Sequence, residues 1–122
     1  MKDQELFDLC KKVYELTKWE TKDLYWLVTR GGQSSIWKWV NAKEFSDRVP
    51  VYNSDYLLEE LPKSIGAYGL EMWSYPSGDG VAFGYYDTLN RRWHHKIPQR
   101  GDKLPLKALL KLTIALSEDG QL

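Results

Sequence analysis

The chain has 122 residues, no net formal charge and a hydrophobic share of 43%, which together predict one folded domain, residues 1–122, and exclude a disordered chain. Its single cysteine excludes an internal disulfide and any zinc site built from several cysteines. No apolar run reaches the ~20 residues that cross a bilayer, and the charged first residues are unlike a secretory signal, so we expect a cytoplasmic protein without membrane contact.

The first predicted element is an amphipathic helix capped by Asp3. Its apolar side chains recur at the helical period, with charged residues on the opposite side; they are Leu6, Phe7, Leu9, Cys10, Val13, Tyr14 and Leu16. Because Cys10 lies within this apolar stripe, we expect its thiol to pack as a small hydrophobic group and not to act as a nucleophile.

After this helix the apolar period changes to the two-residue period of strands. The segments "LYWLVTR" (24–30) and "IWKWV" (36–40) predict a hairpin through "GGQSS". That loop is not a phosphate-binding loop, because a strand follows it where such a loop would open a helix. Asn53 or Ser54 then caps a short predicted helix, which Pro62 limits.

The second half of the chain predicts more strands and a final helix. The strands are "LEMWSY" (70–75), "VAFGYYD" (81–87) and a segment around 92–97, and the apolar stripe of the helix is Leu106, Leu109, Leu110, Ile114 and Leu116. This order predicts an α+β fold, with a mainly antiparallel sheet of four to five strands. An N-terminal and a C-terminal helix flank the sheet, and the short helix lies between hairpins.

Three segments, "KWE" after the first helix, "VPVYNSDYLLEELP" in the middle and "PLKALLKLTIAL" near the end, carry a family resemblance. They resemble small tailed-phage and prophage proteins grouped as a phage ABA-sandwich domain. The resemblance spans most of the chain and implies a layered helix–sheet–helix fold, a phage or prophage source and a bacterial host cytoplasm. It implies no catalytic residues. Relatives often place Asp or Thr before Pro105, where this chain has Lys103 and Leu104, so the cap here is weaker or comes from Asp102.

The residue pattern contains no catalytic signature such as Gly-x-Ser-x-Gly or His-Glu-x-x-His. The two histidines, His94 and His95, are neighbours on a predicted strand, so their side chains should point to opposite faces and cannot share one metal ion. We therefore expect no enzymatic activity, no cofactor and no metal site.

The predicted binding surface combines aromatic and basic residues, which are Trp37, Lys38, Trp39, Arg91, Arg92, His94, Lys96 and Arg100. Tryptophans two residues apart on a strand share a face, as in a platform that stacks bases, and the basic residues would contact phosphates. In the segment 92–97 the same period places Arg92, His94 and Lys96 outward. It places Trp93 and Ile97 inward.

Taken together, these features predict a small non-enzymatic protein that binds a host or phage macromolecule. Inhibitors of a host factor or of a defence system are one class of this size. A protein partner is favoured, and nucleic-acid binding through a basic and aromatic sheet face is the alternative. A homodimer through an open sheet face also stays open.

Overall fold

The computed structural model of the chain describes residues 4–21, 24–28, 34–38, 48–97 and 99–122. Within these residues lie three helices and eight strands. The chain divides into two compact units, an N-terminal unit, Met1–Asn53, and a C-terminal unit, Ser54–Leu122. None of the described helices is long and apolar enough to cross a membrane. The α+β class predicted from the sequence is confirmed, whereas the single domain stays a prediction.

The N-terminal unit consists of one helix and one small antiparallel sheet. Its elements are α1 (Gln4–Thr17), β1 (Leu24–Val28), β2 (Ser34–Lys38) and β3 (Arg48–Pro50). The strand order is β2-β1-β3, so the predicted hairpin is present and gains a third strand. These strands form a sheet of their own, separate from the one in the C-terminal unit.

The core of the N-terminal unit is built on the apolar face of α1. Phe7, Cys10 and Val13 are its buried residues, spaced three apart as one helical face requires. Phe7 meets Trp26 of β1 edge to face, with ring centroids 5.6 Å apart. Burial raises the pKa of the Cys10 thiol, so the sulfur stays protonated, in agreement with the packing role expected for it. Asp3, the predicted cap, lies outside the described residues.

The C-terminal unit holds two helices and a five-stranded antiparallel sheet. Its elements are α2 (Ser54–Glu60), β4 (Ser64–Ile65), β5 (Tyr68–Ser74), β6 (Val81–Asp87), β7 (Arg92–Trp93), β8 (Arg100–Asp102) and α3 (Pro105–Glu118). The strand order is β4-β5-β6, and both β7 and β8 pair with the other edge of β6. This sheet confirms the predicted four to five antiparallel strands.

The register of β5 and β6 defines two sides of this sheet. Successive side chains on a strand point to opposite faces. Leu70 pairs with Tyr85, and Met72 pairs with Phe83, so these four residues share one side. Leu58 of α2 and Leu109 of α3 line a groove with three of them, which places both helices there. We call this face the helix side. The opposite face carries Trp73 and Tyr86, and we call it the aromatic side.

Helix α3 supplies much of the core of the C-terminal unit. Its buried residues are Ala108, Leu109, Leu110, Leu112, Thr113 and Leu116. Leu112 was absent from the predicted stripe, whereas Leu106 and Ile114, which belonged to it, are only half-buried. The helix packs against α2, β6 and β8 at once, so the buried arc is wider than a single-stripe pattern assumes.

Asp102 holds the start of α3, as the sequence allowed. Its carboxylate accepts a hydrogen bond from the backbone N–H of Leu104 at 3.1 Å and another from Nζ of Lys111 at 2.7 Å. The Lys111 ammonium lowers the pKa of Asp102, since it favours the charged carboxylate. Leu104 itself occupies the N-cap position and makes no side-chain cap hydrogen bond.

Candidate functional site

The strand expected around 92–97 is only two residues long. Trp93 pairs with Tyr86, after which the chain leaves the edge of β6 and returns as β8. His94 causes the departure: its backbone N–H still donates to the carbonyl of Tyr85 at 2.8 Å, but its side chain bends the chain that follows. The ring Nδ1 accepts the backbone N–H groups of Lys96 and Ile97 at 3.1 and 3.3 Å. The imidazole thus closes a turn where the ladder would continue.

This turn corrects the face assignment of the two histidines. The sequence placed His94 outward, yet it is 8% exposed, whereas His95 is exposed. Their rings also stack nearly parallel, with centroids 4.9 Å apart, where opposite directions were expected. Ile97 is buried as predicted. Both errors have one cause, because the two-residue period ends at Trp93.

The structure gives the histidines no cluster of metal ligands. Among the described residues there is no group of three or more His, Cys, Asp or Glu that could hold a metal ion. Nδ1 of His94 already accepts two backbone hydrogen bonds. The ring of His94 also lies 4.6 Å, centroid to centroid, from the ring of Tyr68. The role that these contacts support is local structure.

We expect His94 to make the stability of the protein depend on pH. Burial lowers the pKa of His94, and the charges of His95 and Lys96 lower it further against the opposing effect of Asp119. The unfolded state therefore binds more protons than the folded state below the ordinary pKa of 6.5. Its contribution to stability is full above that value and is lost as pH falls through the folded pKa.

The melting temperature of the wild type should accordingly fall between about pH 7.5 and about pH 5. His95→Gln, which alters the exposed ring, should keep most of this fall. His94→Gln should melt lower at neutral pH and show a flatter profile. A profile as steep as that of the wild type in His94→Gln would assign the pH dependence to other groups.

The aromatic side of the five-stranded sheet carries three rings in mutual contact, and we call them the aromatic cluster: Trp73, Tyr86 and Trp93. The ring centroids of Trp73 lie 5.8 Å from Tyr86 and 5.4 Å from Trp93, and those of Tyr86 and Trp93 lie 5.1 Å apart. Tilted and edge-to-face contacts of this kind are the favoured geometries of aromatic pairs. Each ring therefore holds the other two in place.

Glycines in the neighbouring strands make room for these rings. A methyl group on Gly84 would lie 2.9 Å from the ring of Trp93, so the ring lies across the backbone of β6 only because Gly84 has no side chain. Tyr75, just after β5, lies in the same way against Gly101 of β8. Tyr75 thus lies on the same side of the sheet as the cluster. Trp73 is 50% exposed and Tyr75 is 40% exposed.

The charged residues of these strands are distributed unequally between the two sides of the sheet. Glu71 pairs with Gly84, which places its carboxylate on the aromatic side. Arg92 pairs with Asp87, and Arg100 pairs with Phe83, so both of these bases belong to the helix side. Within the described strands of this sheet, the aromatic side therefore carries an acid and no base.

Within the C-terminal unit, the described members of the predicted binding surface do not share one face. Of its members, Arg91 and Lys96 are exposed, His94 is buried, and Arg92 and Arg100 belong to the helix side. Trp37 and Lys38 lie on β2, in the other unit, and Trp39 lies outside the described residues. Sequence reasoning missed Trp73, Tyr75 and Tyr86 as a surface. Their alternation within β5 and β6 was visible, but their meeting with Trp93 depends on strand register.

Arg91 belongs to a tight turn between β6 and β7. The carboxylate of Asp87 accepts the backbone N–H groups of Leu89 and Asn90 at 3.0 and 3.2 Å, and the side-chain amide of Asn90 at 2.7 Å. The hydrogen bonds from Asn90 have the largest effect in lowering the pKa of Asp87. Arg91 closes the turn with a φ of 53°, a conformation rarely adopted by residues with side chains. Its exposed side chain therefore starts from a fixed backbone.

A shallow apolar groove of about 380 Å³ lies on the helix side, between α2, α3 and β5. Its lining includes Leu58, Leu70, Met72, Phe83 and Leu109, with Ser54 as a polar member. Glu71 borders the groove from within β5, although its side chain leaves the strand on the aromatic side. A groove with this lining offers apolar contact and no paired acid and base.

The described geometry defines an α+β protein whose five-stranded antiparallel sheet has helices on one side and a connected aromatic surface on the other. Comparisons of the chain with protein-family models, with curated proteins and with solved structures found no match. The resemblance to phage ABA-sandwich proteins therefore stays a prediction.

Proposed function

We propose that this chain is a non-enzymatic binding protein that docks a protein partner on the aromatic side of its five-stranded sheet. The observation that carries the proposal is the aromatic surface: exposed Trp73 contacts half-buried Tyr86 and Trp93, and exposed Tyr75 lies on the same side of the sheet against Gly101. Tryptophan and tyrosine contribute large contact areas and dominate the energetics of protein interfaces. Rings held by one another also lose little freedom on binding.

The charges near this surface favour a protein over a nucleic acid. Binding of a nucleic acid draws much of its affinity from basic residues that neutralise phosphates. Here the acid Glu71 shares the aromatic side, and Arg92 and Arg100 belong to the opposite one. A protein surface with apolar and basic side chains is the better match. If the phage resemblance holds, that protein is a host or phage macromolecule, for example a host factor or a component of a defence system.

The test is capture of a partner from host lysate by immobilised wild type, Trp73→Ala and Leu89→Ala. Leu89 is 91% exposed and lies in the turn after β6, so its truncation removes exposed apolar surface and leaves the three rings of the aromatic cluster unchanged. The captured protein is then purified and titrated. We expect Trp73→Ala to weaken its binding by roughly 30-fold, the effect of losing one interface hot spot, and Leu89→Ala to leave it unchanged.

A parallel titration with single-stranded DNA and RNA at low salt examines the alternative. If the wild type binds a nucleic acid and Trp73→Ala binds it more weakly, the ligand of the aromatic side is a nucleic acid and not a protein. Partner binding that is equally strong in wild type and Trp73→Ala would contradict the proposal that the partner docks on the aromatic side.

A further inference from the structure

Over its second half, strand β5 has an edge that pairs with none of the described strands. On one side it pairs with β6 along its whole length, from Gly69 with Tyr86 to Ser74 with Val81. On the other side, β4 pairs only with Tyr68 and Gly69. Next to them, the carbonyl of Lys63 accepts a hydrogen bond from the backbone N–H of Leu70. Beyond Leu70, no described strand lies against this edge.

The hydrogen-bond pattern shows which backbone groups face that edge. The N–H of Tyr75 donates toward β6, to Gly80, whereas the N–H of Leu70 donates toward β4. Backbone groups alternate in direction along an antiparallel strand. The N–H and C=O groups of Met72 and Ser74 therefore point outward, and those of Trp73 point to β6.

We propose that a second copy of this chain pairs with this edge, β5 against β5 in antiparallel orientation, with Trp73 on the twofold axis. In this register Met72 of each copy faces Ser74 of the other, and the two residues exchange both of their outward hydrogen bonds. Four backbone hydrogen bonds form in all. The proposal does not rest on the proposed function, although Trp73 belongs to both: the dimer uses backbone groups at the edge of the sheet, and the proposed function uses the rings on its aromatic side.

The occupied N–H of Leu70 and the missing N–H of Pro76, which would face Met72 in pairing centred on Ser74, select this register over its two neighbours. Pairing centred on Met72 would need the N–H of Leu70, which is already bonded to Lys63. Pairing centred on Trp73 uses only Met72 and Ser74, the residues beyond the end of β4 whose groups are outward. A twofold axis makes such an interface self-complementary, so each donor on one copy finds an acceptor on the other.

The side chains at the edge fit the same arrangement. Met72 is 56% exposed and Trp73 is 50% exposed, so the edge is apolar on both sides of the sheet. The paired residues Met72, Trp73 and Ser74 include no charged side chain and no proline, two devices that commonly protect an exposed edge strand. The two copies of Trp73 would lie opposite each other, where aromatic pairs stabilise a sheet. Both aromatic clusters would then form one continuous surface.

Cysteine pairing tests the register directly. Trp73 of the two copies would form a pair without mutual backbone hydrogen bonds, with Cα atoms about 4.5 Å apart, which suits a disulfide. Met72 of one copy lies two positions out of line with Met72 of the other, beyond the ~7 Å limit. We expect Trp73→Cys to form covalent dimers under mild oxidation at least about 10-fold faster than Met72→Cys. Cys10 is buried and gives no background. Equal rates, or no dimer from Trp73→Cys, would overturn the proposal.

Sedimentation equilibrium tests the same edge without cysteine. We expect a weak dimer with a dissociation constant on the order of 10 µM, because one short strand pair buries less surface than a standard interface. Ser74→Pro removes an outward N–H that β6 does not use, so the fold should persist, as circular dichroism will check, while dimerisation weakens at least about 10-fold. Ser74→Ala keeps that N–H and should dimerise like the wild type. A monomeric wild type, or a folded Ser74→Pro that still dimerises fully, would contradict edge pairing.

The two proposals fail separately. Ser74→Pro leaves Trp73, Tyr86 and Trp93 in place, so loss of the dimer with partner binding retained concerns only the edge. Loss of partner binding in Trp93→Ala with the dimer retained concerns only the aromatic side.

Discussion

Leu112→Ala should lower the free energy of unfolding of the C-terminal unit by about 3 kcal/mol, the usual effect of truncating a buried leucine. The side chain of Leu112 is fully buried in α3. Its removal costs the burial of three carbon atoms and leaves a cavity that the surrounding helices and strands fill only in part. Chemical denaturation, followed by tryptophan fluorescence, measures the change as a shift of the midpoint at constant slope.

Leu106→Ala is the matched control for this prediction. Leu106 lies in the same helix and belongs to the stripe predicted from the sequence, but it is only half-buried. Its truncation should cost roughly 1 kcal/mol, because less apolar surface is lost from the core. A larger loss for Leu106→Ala than for Leu112→Ala would mean that the helix faces the core as the sequence stripe predicted.

Gly80→Ala should destabilise the C-terminal unit by more than about 3 kcal/mol. Gly80 precedes β6 with a φ of 133°, in a region that residues with a side chain rarely enter. An added methyl group would overlap the backbone carbonyl of Asp102 and lie 2.8 Å from Cα of Lys103. Both obstacles are backbone atoms of the segment that leads from β8 into α3. Relief would require the hairpin and β8 to move apart.

Gly78→Ala separates the effect of the clash from that of the backbone conformation. Gly78 lies in the same turn, has a φ of 78° and has open space where a methyl group would go. Its substitution should therefore cost only about 1 kcal/mol, the penalty of a left-handed conformation. Thermal or denaturant unfolding compares the two variants. Similar losses for both would show that β8 does not lie against this turn.

The sequence predicted the elements whose burial repeats at a regular period. Helix α1, the β1–β2 hairpin, the β5–β6 hairpin and α3 all carry long apolar patterns, and all of them are present. The separation of the strands into two sheets was not predicted, because the pairing of β1 with β3 joins distant segments with no local signal. The shortness of β7 was also missed. It depends on one imidazole that accepts backbone hydrogen bonds, and the same residue in a strand would give the same sequence pattern.

The candidate site was harder to predict than the fold, for a related reason. Arg92 and Arg100 looked like members of one basic row, but the excursion between β7 and β8 places them on separate strands. Trp73 and Trp93 are distant in sequence, and they meet only because β5 and β7 are both neighbours of β6. Gly84 also permits this contact, because it has no side chain that would collide with the ring of Trp93. Composition counts these residues without saying which of them touch.

Cys10 is a chemical probe of local unfolding in the N-terminal unit. It is the single thiol of the chain, and the core of the N-terminal unit encloses it completely. A thiol reagent modifies a sulfur in this position only during the moments when its surroundings open, so the rate of modification reports the free energy of that opening. Hydrogen exchange of the backbone amides of α3 reports the opening of the C-terminal unit in the same way. Equal opening free energies would mean that the chain unfolds in one cooperative transition. Unequal free energies would mean that the two units unfold independently.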